Sequence, residues 1–183
     1  KGPGLISDKN LVYKVVRAIL AMTNQLDGGY VVVGIEEQSG AFNPVGLDPI
    51  TIAGWTRDAL ADKVAPLVDP SVDFDLERRK YVGQEFVLIS VREFDETPVF
   101  CRVDRPSISG KSLVLREGAL YIRGRRKPES IEIRTSREMR DLLDLALRKR
   151  LRGFLELSQA AGLPSLSLSA KSDSDLFDAQ ISD

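Results

Sequence analysis

The chain has 183 residues, 43% of them hydrophobic, enough for one well-buried domain with a short appendage. With no histidine and one cysteine, it cannot build a Ser-His-Asp or Cys-His catalytic arrangement, an intrachain disulfide or a His/Cys zinc site. Residues 1–101 carry 10 Lys and Arg against 15 Asp and Glu, residues 102–155 carry 15 against 7, and residues 156–183 carry 1 against 5. The basic middle, flanked by acidic segments, indicates either a polyanion partner on one face or a helix and hairpin with solvated charges.

From Ser7 the pattern is helical. Val12, Val15, Val16, Ile19, Met22 and Leu26 recur at intervals of three to four and form one apolar stripe, with Ser7 or Asp8 as N-cap. Asp27-Gly28-Gly29 is expected to end this helix, and Tyr30–Ile35, apolar on both faces, reads as a central strand. Residues 36–40 (EEQSG) read as the turn leaving it. A second helix is expected over about 52–65, with Trp55, Ala59, Leu60 and Val64 inward and Pro66 closing it.

Residues 72–80 and 85–93 alternate around Val82-Gly83-Gln84, a hairpin signature. A strand at 99–103 carries Cys101, whose apolar surroundings suit a buried thiol better than a nucleophile. After the polar loop 104–112, segments 113–116 and 119–123 read as a second hairpin around Glu117-Gly118. Thr135-x-x-Glu138 is a capping box opening a helix to about Gly153 or beyond, with Met139, Leu142, Leu143, Ala146 and Leu151 on its apolar face. From Gly162 the Ser/Asp-rich run reads as a linker or tail. The expected division is a domain over 1–155 and a helix end with polar tail over 156–183. No run approaches the length of a membrane span, and no signal leader opens the sequence, so a soluble, cytoplasmic protein is expected.

Gly28-Gly29 beside a strand suggests a phosphate loop, but the order of elements opposes it. Such loops run strand, glycines, helix, so that phosphate meets free N–H groups at a helix N-terminus. Here the order is helix, glycines, strand, and the exposed groups at a helix C-terminus are carbonyls at the negative end of the dipole.

The stretch "AILAMTNQLDGGYVVVGIEE", then "FNPVGLD", "EFVLISVREFDETPVFCRV" and "LREGALYIRGRRKPES", resembles the Schlafen-type AlbA domain. Asn24, Gly28, Gly29 and Gly34 fall on structural positions of its motif, as do Ala21, Gly46-Leu47, Pro98, Tyr121, Arg123 and Gly124. The resemblance covers about residues 8–150 and implies an α/β (α+β) fold, a mixed β-sheet with helices packed on it, Alba-like in kind. It also implies nucleic acid, DNA or RNA, as partner, with a homodimer as a reasonable assembly. Family members with ribonuclease activity use two carboxylates from an opening E-x-x-x-x-E-F-K segment and a third after the G-V strand. This sequence opens "KGPG" and offers only the third, as Glu36 or Glu37.

Three readings follow. The leading one is a nucleic-acid-binding module, part of a larger protein, holding phosphates on a basic hairpin. Arg123, Arg125, Arg126 and Lys127 place four cations within five residues, with Arg116 on the expected partner strand and Arg102 nearby. Arg78, Arg79 and Lys80 could extend that patch. Tyr121 is either a base-stacking ring or part of the core, and "LRKRLR" (147–152) either meets phosphate or forms a solvated helix end. The second reading is a Mg²⁺- or Mn²⁺-dependent endoribonuclease, with Glu36 and Glu37 as catalytic carboxylates that need companions from elsewhere. Outside that reading no metal or cofactor is expected. The third is a protein-interaction domain using the 135–155 helix and the tail to bind a further domain or partner chain.

Overall fold

A computed structural model describes residues 1–124 and 129–162. Its organising element is α1 (Lys9–Thr23), N-capped by Asp8, whose carboxylate accepts from the backbone N–H of Asn10 at 2.9 Å and of Leu11 at 3.3 Å. Leu11, Val12, Val15, Val16, Ala18, Ile19, Leu20 and Ala21 are all buried, so most of the circumference is core. Each fully buried Leu, Ile or Val contributes roughly 1.5–3 kcal/mol of transfer free energy. Lys14 and Arg17 lie three positions apart on the remaining sector and share one face.

α1 ends at Thr23, with Asn24 as C-cap, four residues before the glycines expected to stop it. Leu26 is consequently outside the helix and exposed. The Asn24 side chain turns inward, donating to Val99 O at 2.9 Å and Tyr121 O at 3.2 Å and accepting from Val99 N–H at 2.8 Å. Gly28 serves close packing: at φ +66°, an added Cβ would sit 2.1 Å from Val91 O.

The largest sheet has the order β1-β6-β5, formed by Gly29–Val33, Gln84–Val91 and Phe74–Tyr81. β6 is its centre and β1 an edge, contrary to the expectation of a central first strand. Val31 and Val33 face the core, while Tyr30 is 65% exposed. Lys1 lies along the outer edge of β1, its backbone nitrogen donating to Val32 O and its carbonyl accepting from Gly34 N–H at 2.9 Å and Ile35 N–H at 2.8 Å. The β5–β6 hairpin forms as the alternation requires, in register Leu76↔Ile89, around the two-residue loop Val82-Gly83.

Three further features differ from the sequence expectation. β2 (Ile35–Gln38) and β3 (Ala41–Pro44) form a hairpin, so Glu36 and Glu37 stand on a strand and the turn is Ser39-Gly40. The second helix is two, α2 (Pro49–Gly54) and α3 (Arg57–Val64). Trp55 leaves the helical path to bury its ring and donate to Gly4 O at 3.0 Å, and Thr56 caps α3 through Ala59 N–H at 3.2 Å. Segments 113–116 and 119–123 do not pair with each other. β9 (Leu113–Leu115) pairs with β8 (Arg105–Pro106), and β10 (Tyr121–Arg123) with β11 (Ser130–Glu132). Between them residues 118–120 close onto β7 (Phe100–Cys101), which itself pairs with β4 (Val68–Asp69).

Finally, α4 (Ser136–Ala160) opens on the expected capping box, with Glu138 N–H donating to Thr135 Oγ1 and Thr135 N–H to Glu138 Oε2, each at 3.2 Å. Its inward face is Leu142 with Leu145 and Ala146, whereas Met139, Leu143 and Leu151 are exposed. The inward face has rotated because Leu142 and Leu145, not Leu143, meet the rest of the core.

The α+β class holds, with helices packed on sheet, and every strand pairing among the described residues is antiparallel rather than mixed. The described residues fall into two units, one over Lys1–Lys149 and one that begins at Arg150. Among the described residues no helix is long and apolar enough to cross a membrane.

Candidate functional site

Two adjoining hollows in the first unit share Lys1, Lys14 and Glu37. One, of about 690 Å³, adds Arg17, Glu129 and hydroxyls from Ser107, Ser109, Ser112 and Ser130. The other, of about 980 Å³, adds Arg123, Glu36, Tyr30 and Phe42. Four cations therefore converge from three places: the chain segment beside β1, the polar sector of α1, and β10. They meet because α1 packs against β9, β10 and β11 as well as β1.

The two arginines are positioned rather than loosely displayed. The Arg17 guanidinium lies 4.9 Å from the centroid of the Tyr121 ring, and its Nη1 donates to Val114 O at 3.4 Å. Its Nε is buried with no hydrogen-bond partner. Tyr121 is itself buried, its hydroxyl accepting from Arg116 N–H at 2.8 Å, so the ring is a support for Arg17 and not a surface for a base. Arg123 donates from Nη1 to Ser130 Oγ at 3.3 Å. Burial lowers the pKa of Arg123, and Glu129 opposes that shift.

The Lys1 ammonium shows the crowding most directly. Burial, then Arg123, Arg17 and Lys14, hold its pKa below the ordinary 10.5, with Glu37 opposing. A site in which cations depress one another is one that an anion would relieve.

The other sequence candidates are spread over the molecule. Arg116 follows β9 and pairs with Glu132 at 3.6 Å, so it is not on the strand opposite Arg123. Arg102 is exposed just after β7. Arg78, Arg79 and Lys80 lie on β5, the opposite edge of the sheet from β1, about 10 Å away at ordinary strand spacing. Each has a partner there: Arg78 donates to Ala53 O at 3.3 Å, Arg79 pairs with Glu77, and Lys80 with Glu85 at 3.2 Å. Arg125, Arg126 and Lys127 lie outside the described residues.

Glu36 and Glu37 are exposed and both line the larger hollow. They do not constitute a Mg²⁺ or Mn²⁺ site by themselves, since the described residues bring no three His, Cys, Asp or Glu side chains together in a metal-holding group. Asn24, Gly28, Gly29 and Gly34 are architectural. Gly34, at φ +109°, has Phe86 Cδ1 2.9 Å from where a Cβ would stand. A further cavity of about 780 Å³ is lined by Asp27, Asp73, Glu93 and Asp95 with Arg92 and Lys149. Its cations are already engaged, Lys149 with Glu93 at 2.9 Å and Arg92 with Asp73 at 3.0 Å.

Sequence reasoning singled out Arg123 but not Lys1, Lys14 or Arg17. The available signal was helical periodicity: the stripe that buries Val12, Val15, Val16 and Ile19 leaves Lys14 and Arg17 together on the uncovered sector.

The fold and cleft define a small α+β domain with a supported cluster of cations bordered by carboxylates. The chain belongs to the Schlafen AlbA_2 family, whose model matches residues 5–130. Among solved structures it is similar to the DIP2311 protein of Corynebacterium diphtheriae, at 20% identity and a TM-score of 0.46, over 72% of this chain. It spans only 19% of that protein's length. It is also similar to the N-terminal domain of a protein from Nitrosomonas europaea described as related to the ATP-dependent DNA helicase RecG. That match has 24% identity and a TM-score of 0.42, and covers 64% of this chain and 76% of that one. No curated protein sequence matches the chain.

Proposed function

We propose that this domain binds nucleic acid, DNA or RNA, mainly through backbone phosphates. The observation that carries this reading is the convergence of Lys1, Lys14, Arg17 and Arg123 on one cleft, with serine hydroxyls beside them. Guanidinium and ammonium groups are matched to phosphate oxygens, and such contacts supply affinity without reading sequence. Membership of the Schlafen AlbA_2 family supports the same reading. The adjacent basic segment 125–127 would add further phosphate contacts.

The direct test is the double variant Lys14→Ala/Arg123→Ala, measured by fluorescence anisotropy on labelled DNA and RNA at several salt concentrations. Affinity is expected to fall across sequences, and the slope of log K against log salt to flatten by roughly 1.4–1.8, two lost contacts at about 0.7–0.9 each. Unchanged affinity and slope would remove the cleft from consideration.

A further inference from the structure

The larger hollow holds two aromatic side chains that neither the core nor the cation cluster uses. Tyr30 is 65% exposed on β1 and Phe42 is 58% exposed on β3, yet both line the hollow that contains Lys1, Lys14 and Arg123. Tyr30 stands on the outward face of an edge strand, since Val31 and Val33 take the core face. Phe42 faces Glu37 across the β2–β3 hairpin, so it is carried on a two-stranded arm.

We propose that this hollow binds an unpaired nucleic-acid strand, with bases stacking on Tyr30 and Phe42 while Lys1, Lys14 and Arg123 hold the phosphates. The inference rests on the nucleic-acid reading above and specifies its substrate class. Exposed rings interleaved with cations in one groove match what a single strand presents, namely bases with free faces beside a phosphodiester chain. A duplex offers its phosphates to the same cations, but its base faces are stacked on one another and out of reach of a ring. Charge complementarity selects the ligand, since an apolar peptide would leave Lys1, Lys14 and Arg123 unmatched. The rings carry no base-specific hydrogen-bond pattern beyond the Tyr30 hydroxyl, so sequence preference is weak.

The test uses anisotropy of the full chain with four labelled probes of equal length, about twelve nucleotides. These are single-stranded DNA, single-stranded RNA, a DNA duplex, and a DNA strand in which the bases are replaced by abasic sites. The wild type is expected to bind one or both base-bearing single strands at least about tenfold more tightly than the abasic strand. Tyr30→Ala/Phe42→Ala is expected to lose about tenfold or more on the single strands and nothing on the abasic strand or the duplex. Tyr30→Trp/Phe42→Trp restores binding and adds tryptophan fluorescence that a single strand quenches.

If the alanine pair binds single strands like the wild type, or the abasic strand binds as tightly as the base-bearing one, stacking is refuted. Loss of binding in Lys14→Ala/Arg123→Ala would still leave the phosphate reading intact. If the wild type binds none of the four probes, both fall. Both rings are solvent-exposed, so the alanine pair is expected to melt within a few degrees of wild type. Should it not fold, the tryptophan pair decides: no quenching by either single strand overturns the inference.

Discussion

Arg17 and Tyr121, 104 positions apart, are stacked cation on ring at 4.9 Å, with Tyr121 anchored through its hydroxyl to Arg116 N–H. The stack orients a guanidinium whose Nε is otherwise buried without a partner. Arginine is suited to this place because its planar head both stacks flat on the ring and presents a fork to phosphate, whereas lysine offers only a point charge. Arg17→Ala is therefore expected to weaken nucleic-acid binding about five- to tenfold and to reduce the salt slope by about 0.7–0.9. Arg17→Lys should recover less than half of that loss in free energy. Equal affinity for Arg17→Lys and wild type would show that charge alone matters at this position.

That relationship was not legible in the sequence, and the reason is its range. The capping box at Thr135 and Glu138, the Asp8 cap and the hairpin around Val82-Gly83 are set by residues within a few positions of each other, and local chemistry specified them. The pairing of β9 differs from the local pattern because Glu117-Gly118 is a good hairpin turn that loses to a non-local alternative. Gly118 N–H reaches Cys101 O at 2.8 Å instead, closing the segment onto β7. The cation cluster joins α1, β10 and the segment beside β1, and the packing of α1 against both β1 and β10 brings them together. Arg123 was visible because it lies in a run of basic residues. Lys14 and Arg17 were hidden as two ordinary cations on a helix.

The spread of basic residues yields a contrast within one molecule. Arg78→Ala/Arg79→Ala/Lys80→Ala removes three cations from β5, where each is already partnered and the cleft is a sheet's width away. Its affinity for nucleic acid is expected to remain within about twofold of wild type, because distant exposed charges are largely screened at physiological salt. Lys14→Ala/Arg123→Ala, with one cation fewer removed, should cost more than that. Competition anisotropy at about 0.15 M salt separates the two, and the reverse order would move the interface to β5.

Glu37 faces the same cations from β2 and raises the Lys1 pKa against their influence. If the cleft binds phosphate and does no chemistry, this carboxylate is only a repulsive neighbour. Glu37→Gln is then expected to tighten binding by about two- to fivefold, the scale of one partly exposed charge contact. Incubating labelled RNA with Mg²⁺ or Mn²⁺ gives the opposing outcome a clear readout. Cleavage by the wild type that disappears in Glu37→Gln would establish the endoribonuclease reading over simple binding.

Asn24 joins the end of α1 to Val99 and Tyr121 by three hydrogen bonds in a buried position. Asn24→Ala leaves one N–H and two carbonyls without that partner. The expected loss is about 2–4 kcal/mol of unfolding free energy in urea. Asn24→Asp can still accept from Val99 N–H but cannot donate to either carbonyl, and it places a charge in the core, so it should be no better. Tyr121 carries Arg17, and the same variants should therefore weaken nucleic-acid binding while still folded. A variant that loses stability but keeps full affinity would disconnect the latch from the cleft.

Val82 occupies the first position of the two-residue β5–β6 loop at φ +47°, followed by Gly83 at +75°. Two successive positive φ values are those of a type I′ turn, whose twist matches the flanking strands and which favours Asn-Gly. A β-branched residue there is strained, since its Cβ crowds the backbone in the left-handed region. Val82 is 80% exposed, so replacing it removes almost no packing. Val82→Asn is accordingly expected to stabilise the domain by about 1 kcal/mol, seen as a rise of roughly 2–4 °C in melting temperature. Val82→Ala should recover only part of this, because alanine loses the branched crowding but keeps its Cβ. Neither substitution approaches the cleft, so nucleic-acid affinity should not change in either. An unchanged or lowered melting temperature for Val82→Asn would mean that the loop is not held in this conformation in solution.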